Sequence, residues 1–214
     1  MKKNVPLYNS YETTSSSGVT SNKTNYRFKV ADSLNDMMKV IAIRSAVYLS
    51  EQECPYEEEF EGNDFCALHL IGFAGDEPAA CLRLRFFAGF AKFERLAVRH
   101  EYRQSTLAFK LARAAIELSR KKGYQKIYGH VQDKVVNFWL RFGGQRMEKE
   151  YKLVFSDFSY TEMLLTVEPH PEPLSVDSDP YVLLRTEGAW NETSILEKSA
   201  DRDVTSPLRN LKAA

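Results

Sequence analysis

Residues 91–111 read AKFERLAVRHEYRQSTLAFKL, and this stretch decides the fold. It begins in a run that alternates like a strand, passes a polar turn over 99–105, and enters an amphipathic helix whose start Ser105 or Thr106 can cap. A strand that leads into a helix leaves unpaired backbone N–H groups at the positive end of the helix dipole. With Arg99 and Arg103 flanking the turn, the segment predicts a site for a pyrophosphate.

Other strand-like and helical segments surround this unit. Short turns at 75–77 and 88–89 separate three strand-like runs, which predicts an antiparallel meander. The expected strands are 26–30, 66–73, 78–87, 90–98, 126–131, 146–155 and 160–167, and the expected helices follow Ser33, end near Gly123 and cover 134–142. This order of elements indicates an α+β (mixed α/β) domain.

The sequence divides into three parts. Residues 1–25 are rich in Ser, Thr and Asn and poor in apolar side chains, which predicts a disordered N-terminal leader. Residues 26–167 carry the periodic strands and helices and form the expected domain. Residues 168–214 contain prolines and few apolar side chains, among them Tyr181 and Trp190, so we expect a C-terminal tail that packs partly on the domain.

Charge and composition exclude several classes of protein. The 29 Lys and Arg residues balance 29 Asp and Glu residues, which disfavours a nucleic-acid binder. No run approaches the roughly 18 apolar residues needed to span a bilayer, and the start of the chain lacks the apolar stretch of a signal peptide. The three cysteines match neither a disulfide framework nor a zinc site, so we expect a cytoplasmic protein without a metal.

The first predicted helix carries a cation on its apolar face. Arg44 lies among Val40, Ile41 and Val47 at helical spacing, and a cation in that position needs an anionic partner. The acidic loop over 57–64, EEEFEGND, offers candidates. This loop is either a solvated charge run or a carboxylate cluster that faces an amine-bearing acceptor. The second interpretation predicts acceptor contacts from the first helix and the loop, namely from Arg44, Tyr48, Glu59, Glu61 and Asp64.

Three motifs resemble the GNAT superfamily of N-acetyltransferases: Phe93-Glu94-Arg95-Leu96-Ala97-Val98-Arg99, then Glu101-Tyr102-Arg103 before a helix, then Asn137-Phe138-Trp139-Leu140-Arg141-Phe142-Gly143. The likeness spans roughly residues 26–167. It implies a central, mostly antiparallel twisted sheet with flanking helices, whose fourth and fifth strands splay apart to admit the pantetheine arm. It also implies an N-acyltransferase that moves an acetyl or other acyl group from acyl-CoA to a small-molecule primary amine by direct attack on the thioester.

The resemblance also implies a donor site. Its residues would be the strand backbone and the following turn and helix start, namely Leu96, Ala97, Val98, Arg99, Arg103, Gln104, Ser105, Thr106, Leu107 and Ala108. Thr106 replaces a glycine usual in the family, and it either donates its hydroxyl to a phosphate or crowds the site. Trp139 stands where many relatives have a tyrosine that protonates the leaving thiolate, and its indole N–H cannot do so. Asn137 would hydrogen-bond the pantetheine.

Glu94 is the expected general base, since an amine attacks a thioester only when neutral. On strict alternation Glu94 shares a face with Leu96 and Val98, and such apolar neighbours would raise the pKa of its carboxyl group toward neutral pH. The alternative is a structural ion pair between Glu94 and an arginine of the neighbouring strand, Arg83 or Arg85.

Two other functions stay open. The acyl-homoserine-lactone synthases and long-chain N-acyl amino acid synthases take acyl groups from acyl carrier protein, and this chain is similar to them at Arg44 with Tyr48, at 59–64 and at Glu94-Arg95. The first loop lacks the tryptophan usual in lactone synthases, which disfavours that form. The second alternative is a catalytically silent module that only binds acyl donors. A homodimer is compatible with each of these functions.

Overall fold

The computed structural model describes residues 25–148, 152–203 and 205, so the predicted leader lies outside the described residues apart from Asn25. The strands are Tyr26–Val30 (β1), Leu68–Ala74 (β2), Glu77–Phe87 (β3), Phe90–Val98 (β4), Lys126–Gln132 (β5), Gln145–Arg146 (β6), Leu153–Phe155 (β7) and Phe158–Thr166 (β8). The α-helices are Leu34–Arg44 (α1), Tyr56–Glu59 (α2), Leu107–Lys121 (α3), Val136–Leu140 (α4) and Pro180–Leu183 (α5). A π-helical turn, Ser45–Glu51, extends α1, and short 3-10 turns cover Asp64–Cys66, His100–Tyr102, Asp133–Val135 and Glu197–Ala200.

One sheet organises the described residues. Its strand order is β1-β2-β3-β4-β5-β8-β6, with β7 also paired to β8. Every neighbouring pair is antiparallel except β4 and β5, which run parallel and pair only from Ala91 with Ile127 to Phe93 with Gly129. Beyond Phe93 the two strands part. The mixed, mostly antiparallel sheet with flanking helices confirms the predicted fold class and its splayed β4/β5 cleft.

Helices cover both faces of the sheet. The face under α3 buries the larger core, formed by Leu107, Leu111 and Leu118 of the helix against strand residues that include Leu70, Leu82, Leu84, Ala91 and Phe93. The other face buries Val40, Ile43 and Val47, from α1 and the turn after it, against Ile71, Phe73, Cys81 and Ala97. Each fully buried leucine or isoleucine side chain contributes about 1.5–3 kcal/mol to folding. The helical periodicity of the sequence thus fixes which side of α1 and of α3 meets the sheet.

The predicted start of α1 is confirmed at Ser33, whose Oγ accepts a hydrogen bond of 3.2 Å from the backbone N–H of Asp36. The expected helix over 134–142 is shorter, because a 3-10 turn precedes α4. The expected strand over 146–155 is two short strands, β6 and β7, and residues 149–151 between them lie outside the described part. None of the described helices is both long and apolar enough to cross a membrane.

The segment after residue 167 packs against the sheet and α3. Trp190 is 6% exposed and belongs to the core under α3. Gly188 has a φ of +81°, and a Cβ atom there would lie 2.4 Å from Cγ2 of Val30, so only glycine allows this approach. The guanidinium of Arg120 donates to the carbonyl oxygens of Glu168 and Pro169 at 2.7 and 2.9 Å.

Candidate active site at the parting of β4 and β5

A cavity of about 970 Å³ opens where β4 and β5 part. On the α3 face it reaches Ala108 at the start of that helix, together with Val98 and Trp139. On the α1 face it is lined by charged side chains, including Arg85 and Glu94. The cavity therefore connects a helix N-terminus on one face of the sheet with a charged surface on the other.

A β-bulge in β4 shapes the wall of this cavity. Glu94 pairs with Arg83 and Ala97 pairs with Cys81, so both Arg95 and Leu96 lie opposite a single residue of β3. Arg95 has a φ of +52°, in the left-handed region that few residues other than glycine adopt. The extra residue reverses the alternation of side chains in the second half of the strand.

The bulge separates Glu94 from the apolar residues that follow it. Leu96 and Val98 pack with the core under α3, whereas Ala97 packs with the core under α1. Glu94 lies on the α1 face, beside Arg83. The prediction that Glu94 shares a face with Leu96 and Val98 is therefore wrong, because strict alternation ends at the bulge.

Tyr48 fixes the bulge from the α1 side. Its hydroxyl donates a hydrogen bond of 2.9 Å to the backbone carbonyl oxygen of Leu96. Burial raises the pKa of Tyr48, so the phenol stays protonated and keeps this bond. Tyr48 lines the cavity as the acceptor prediction requires, but its hydroxyl is already bonded to the backbone.

The partners of Arg44 come from the acidic loop, as predicted. Arg44 is fully buried, and its Nε and Nη1 atoms lie 2.5 Å from carboxylate oxygens of Glu59 and Asp64. Arg83, 1% exposed, bonds Glu61 and Asp64, the latter at 2.9 Å. Arg95 bridges Glu59 and Glu61 at 2.8 and 3.2 Å. We call this set, Arg44, Glu59, Glu61, Asp64, Arg83 and Arg95, the buried ion network.

The buried ion network changes the interpretation of the acidic loop. Arg44 and Asp64 do not line the cavity, so the structure does not bring these two predicted acceptor residues to it. Glu59 and Glu61 do line it, but both carboxylates are already paired with arginines. Burial alone would raise the pKa of Glu61, yet Arg83 and Arg95 outweigh it and lower that pKa to about 2. The loop is a set of counter-ions rather than an open anionic surface.

Glu94 lies at the edge of this network and is paired with three cations. Its carboxylate is 3.0 Å from Arg83, 2.6 Å from Nζ of Lys92 and 3.8 Å from Arg85. Burial would raise the pKa of Glu94, but Lys92, Arg83 and Arg85 together hold it below its usual range. The expected rise in pKa is wrong, and the alternative, an ion pair with an arginine of β3, is confirmed.

The turn between β4 and α3 presents the expected polar groups. Ser105 Oγ accepts from the backbone N–H of Leu107 at 3.2 Å, just before the helix. Thr106 has φ and ψ of −84° and 3°, so this position does not require the conformational freedom of glycine. Arg103 donates to the carbonyl oxygen of Val98 at 2.9 Å. By helix geometry the next backbone N–H groups of α3 lack intrahelical partners.

Only some of the predicted donor residues line the cavity. Those that line the cavity are Leu96, Val98, Arg103, Ala108 and Trp139. Those that do not are Ala97, Arg99, Gln104, Ser105, Thr106, Leu107 and Asn137. The Leu107 side chain is fully buried, so only its backbone is available, and Asn137 is exposed on α4. Trp139 packs edge-on against Phe93, with ring centroids 6.0 Å apart.

Sequence reasoning missed four side chains that form a polar row with His130 on β5 and β8, namely Tyr128, Gln132, Tyr160 and Glu162. Tyr128 donates a short hydrogen bond to Glu162, and Nε2 of His130 lies 2.7 Å from the Tyr128 hydroxyl oxygen. Gln132 donates to the hydroxyl of Tyr160 at 3.1 Å. The alternation of 128, 130 and 132 along the strand was the available signal, but only the sheet pairing shows that these side chains line the cavity.

The described residues contain no group of three or more His, Cys, Asp or Glu side chains that could hold a metal ion. The site therefore consists of the cavity, the α3 N-terminus, the bulge and the charged groups on the α1 face.

Comparisons with known proteins agree with this geometry. Residues 36–143 match the family model described as the acetyltransferase (GNAT) family. The Bacillus subtilis protein BSU40680, provisionally named an acetyltransferase, is 25% identical over 128 residues, which are 58% of this chain and 87% of that protein.

Solved structures share the fold at low sequence identity. An acyl-CoA N-acyltransferase from Pseudomonas aeruginosa superposes with a TM-score of 0.60 at 21% identity, over 67% of this chain and 100% of that one. FeeM, an N-acyl amino acid synthase from uncultured soil microbes, gives 0.58 at 13% identity, over 69% and 93%. Because the family model covers half of the sequence and the splayed sheet agrees with it, the chain belongs to the GNAT acetyltransferase family.

Proposed function

We propose that this protein is an N-acyltransferase that moves an acyl group from acyl-CoA to a primary amine by direct attack on the thioester. The observation that carries the proposal is the cavity that joins the N-terminus of α3 to the parted strands β4 and β5. A cytoplasmic location follows from the sequence and stays part of the proposal.

The residues at the donor end fit a phosphate-bearing thioester. The backbone N–H groups at the start of α3 and the guanidinium of Arg103 suit phosphates, with Arg99, Gln104, Ser105 and Thr106 along the same turn. The part of β4 beyond Phe93, which β5 no longer pairs, suits a thioester carbonyl, since a backbone N–H group there can donate to that oxygen. Coenzyme A supplies the activated acyl group. The protein's part is to align this group with the amine.

The proton of the attacking amine needs an acceptor. A carboxylate whose pKa is below its usual range is a poor base near neutral pH, which disfavours Glu94. We assign this role to His130, backed by Tyr128 and Glu162, because an imidazole changes charge near neutral pH and this row lines the cavity beside the parted strands. Glu94 then positions Lys92 and Arg85.

A second candidate is a long-chain N-acyl synthase that takes its acyl group from acyl carrier protein. Apolar side chains line the cavity over a considerable part of its wall, among them Phe93, Ile127, Trp139, Met163 and Leu165. Such a lining suits an acyl chain longer than acetyl. The fold shared with FeeM is compatible with this activity.

One experiment separates these activities. Purified protein is mixed with acetyl-CoA, a long-chain acyl-CoA or an acyl-loaded carrier protein in the presence of a panel of amines, and free thiol and acylated amine are measured. We expect transfer from at least one CoA thioester. Ala108→Glu places a carboxylate at the α3 N-terminus and should weaken CoA binding roughly tenfold, whereas Ala42→Glu on the exposed side of α1 should not. Transfer from the carrier protein alone favours the second candidate, and no donor binding favours the silent module.

A further inference from the structure

Charged groups of both signs lie on the α1 face of the cavity. The buried ion network, Glu94, Arg85 and Lys92 together hold five cations and four carboxylates. Burial lowers the pKa of the nearby His69, which keeps this imidazole neutral. At the rim, Glu58 accepts from the backbone and hydroxyl of Ser156, and Asp157 is exposed on the β7–β8 turn.

Among these cations, Arg85 and Lys92 have the fewest partners. These residues face each other across β3 and β4, and both line the cavity. Within the described residues Arg85 makes no hydrogen bond: its closest carboxylate oxygen, on Glu94, is 3.8 Å away, and its guanidinium lies 5.0 Å from the ring centre of Phe87. Lys92 has one carboxylate contact, to Glu94, and an ammonium group has three donors.

The arginines of the buried ion network differ from Arg85 in this respect. Arg44 and Arg83 each donate through several nitrogen atoms to carboxylate or carbonyl oxygens of the acidic loop. Arg95 donates through one nitrogen atom, Nη2, to the carbonyl oxygen of Glu58 and to a carboxylate oxygen of Glu61. The planar guanidinium of Arg85 thus has N–H donors without an acceptor among the described residues. The site is partly enclosed, and the Arg85 side chain is 22% exposed. An anion with two oxygens on one carbon matches that fork.

We propose that the acceptor amine also carries a carboxylate, and that Arg85 and Lys92 bind this carboxylate. The inference rests on the proposed N-acyltransferase function and names its acceptor class, the amino acids. In the sheet register Lys92 lies beside Tyr128, and His130 follows two residues along β5, roughly 7 Å further. In the proposed pose the amine of the acceptor lies toward His130 and its carboxylate toward Lys92 and Arg85.

The test compares amines that differ only in the carboxylate. With an accepted acyl-CoA donor, kcat/KM is measured for β-alanine and propylamine and for phenylalanine and phenethylamine. We expect each amino acid to be preferred roughly 10- to 100-fold, the range of a hydrogen bond between charged groups. Equal or better use of the amines without a carboxylate overturns the proposal. Preference for 2-aminoethylphosphonate over β-alanine overturns the choice of carboxylate.

Arg85→Gln should raise KM for the amino acid roughly tenfold or more and bring the ratio between the paired amines toward one. Arg85→Lys, which keeps the charge, should restore part of the preference. Arg27→Gln is the matched control, since Arg27 also stacks on a phenylalanine ring of this sheet, at 3.9 Å, and does not line the cavity. A preference that survives Arg85→Gln overturns the assignment.

Failure of the proposed acyltransferase function can be distinguished from failure of the carboxylate site. If acyl-CoA binds but no amine is acylated, the transferase function fails, and calorimetric titration of β-alanine into the protein with CoA then decides the inference. Binding that Arg85→Gln abolishes supports the carboxylate site, and absence of binding overturns it.

Discussion

The buried ion network and the ion pairs of the donor turn use the same chemical groups in opposite surroundings. Arg44 and Arg83 are 0% and 1% exposed, whereas Arg99 and Arg103 on the turn are 30% and 40% exposed. The carboxylates that pair with the turn arginines, on Glu77, Glu101 and Glu51, are also exposed. Burial, rather than residue type, therefore decides what an arginine in this protein can do.

The physical reason is desolvation. A buried guanidinium that loses its carboxylate is left uncompensated, which costs several kcal/mol, so the pairs of Arg44 and Arg83 cannot open to receive a substrate. An exposed pair contributes about 0–1 kcal/mol, so a phosphate can displace Glu51 or Glu101 at little cost. The network holds the cavity wall in place, and the turn is free to bind.

Removing a charge from the network should have the largest effect. Arg44→Met should lower the free energy of unfolding by about 3–5 kcal/mol, because Glu59 and Asp64 lose a buried partner. Urea denaturation measures the change. The exposed counterpart Arg99→Met should change it by less than about 1 kcal/mol. Adding Glu59→Leu to Arg44→Met should recover part of the loss, and a wild-type midpoint for the single variant would contradict the structural role.

Glu94 is intermediate between the buried ion network and the exposed pairs of the turn, because its side chain is 9% exposed. Glu94→Gln should lower kcat/KM for the acceptor about tenfold, since Lys92 and Arg85 lose the carboxylate that orients them. Because the pKa of Glu94 is held below its ordinary value of 4.5, the carboxyl is ionised throughout the neutral range, and its contribution to stability is lost only as pH falls through the lowered pKa. The pH–rate profile above pH 5 should therefore keep its shape. Loss of the acidic limb in this variant would instead identify Glu94 as the base.

The smallest effect is expected on the donor turn. Arg103→Ala should weaken CoA binding roughly fivefold, because an exposed ionic contact is worth about 1 kcal/mol, and should leave the free energy of unfolding nearly unchanged. Calorimetric titration measures the affinity. Arg113→Ala is the control, since Arg113 is exposed on α3 and stacks on Phe109 outside the cavity. Undiminished affinity after Arg103→Ala would remove the phosphate site from this turn.

Much of the fold could be predicted from the sequence because it depends on local periodicity. The limits of β1 and β4 agree with the expected runs, and β3 differs by one residue. The start of α1 at Ser33 follows from a capping residue. The predictions that failed depend on longer-range contacts: the strand expected over 146–155 is divided, and α4 is shortened by a preceding 3-10 turn. Pairing to β8 and packing against neighbouring elements set these boundaries.

The candidate site, too, could be predicted from the sequence only where it depends on local patterns. The sequence indicated that Arg44 needs an anion and that residues 57–64 could supply it, because a cation on an apolar helix face leaves few other solutions. It could not indicate that Arg83 and Arg95 neutralise the remaining carboxylates, since both lie on strands distant in sequence. The scarcity of partners around Arg85 and Lys92 therefore becomes apparent only in the tertiary structure.

The sequence by itself determined the strand, turn and helix over 91–111, the family motifs and the need for a counter-ion at Arg44, because each depends on residue type at short spacing. Tertiary structure alone decided the face on which Glu94 lies and the position of Tyr128 in the cavity wall. The reason is that one extra residue at Arg95 reverses the alternation of β4, and that β4 and β5 separate after Phe93. Both features arise from the pairing of strands, which local sequence patterns do not encode.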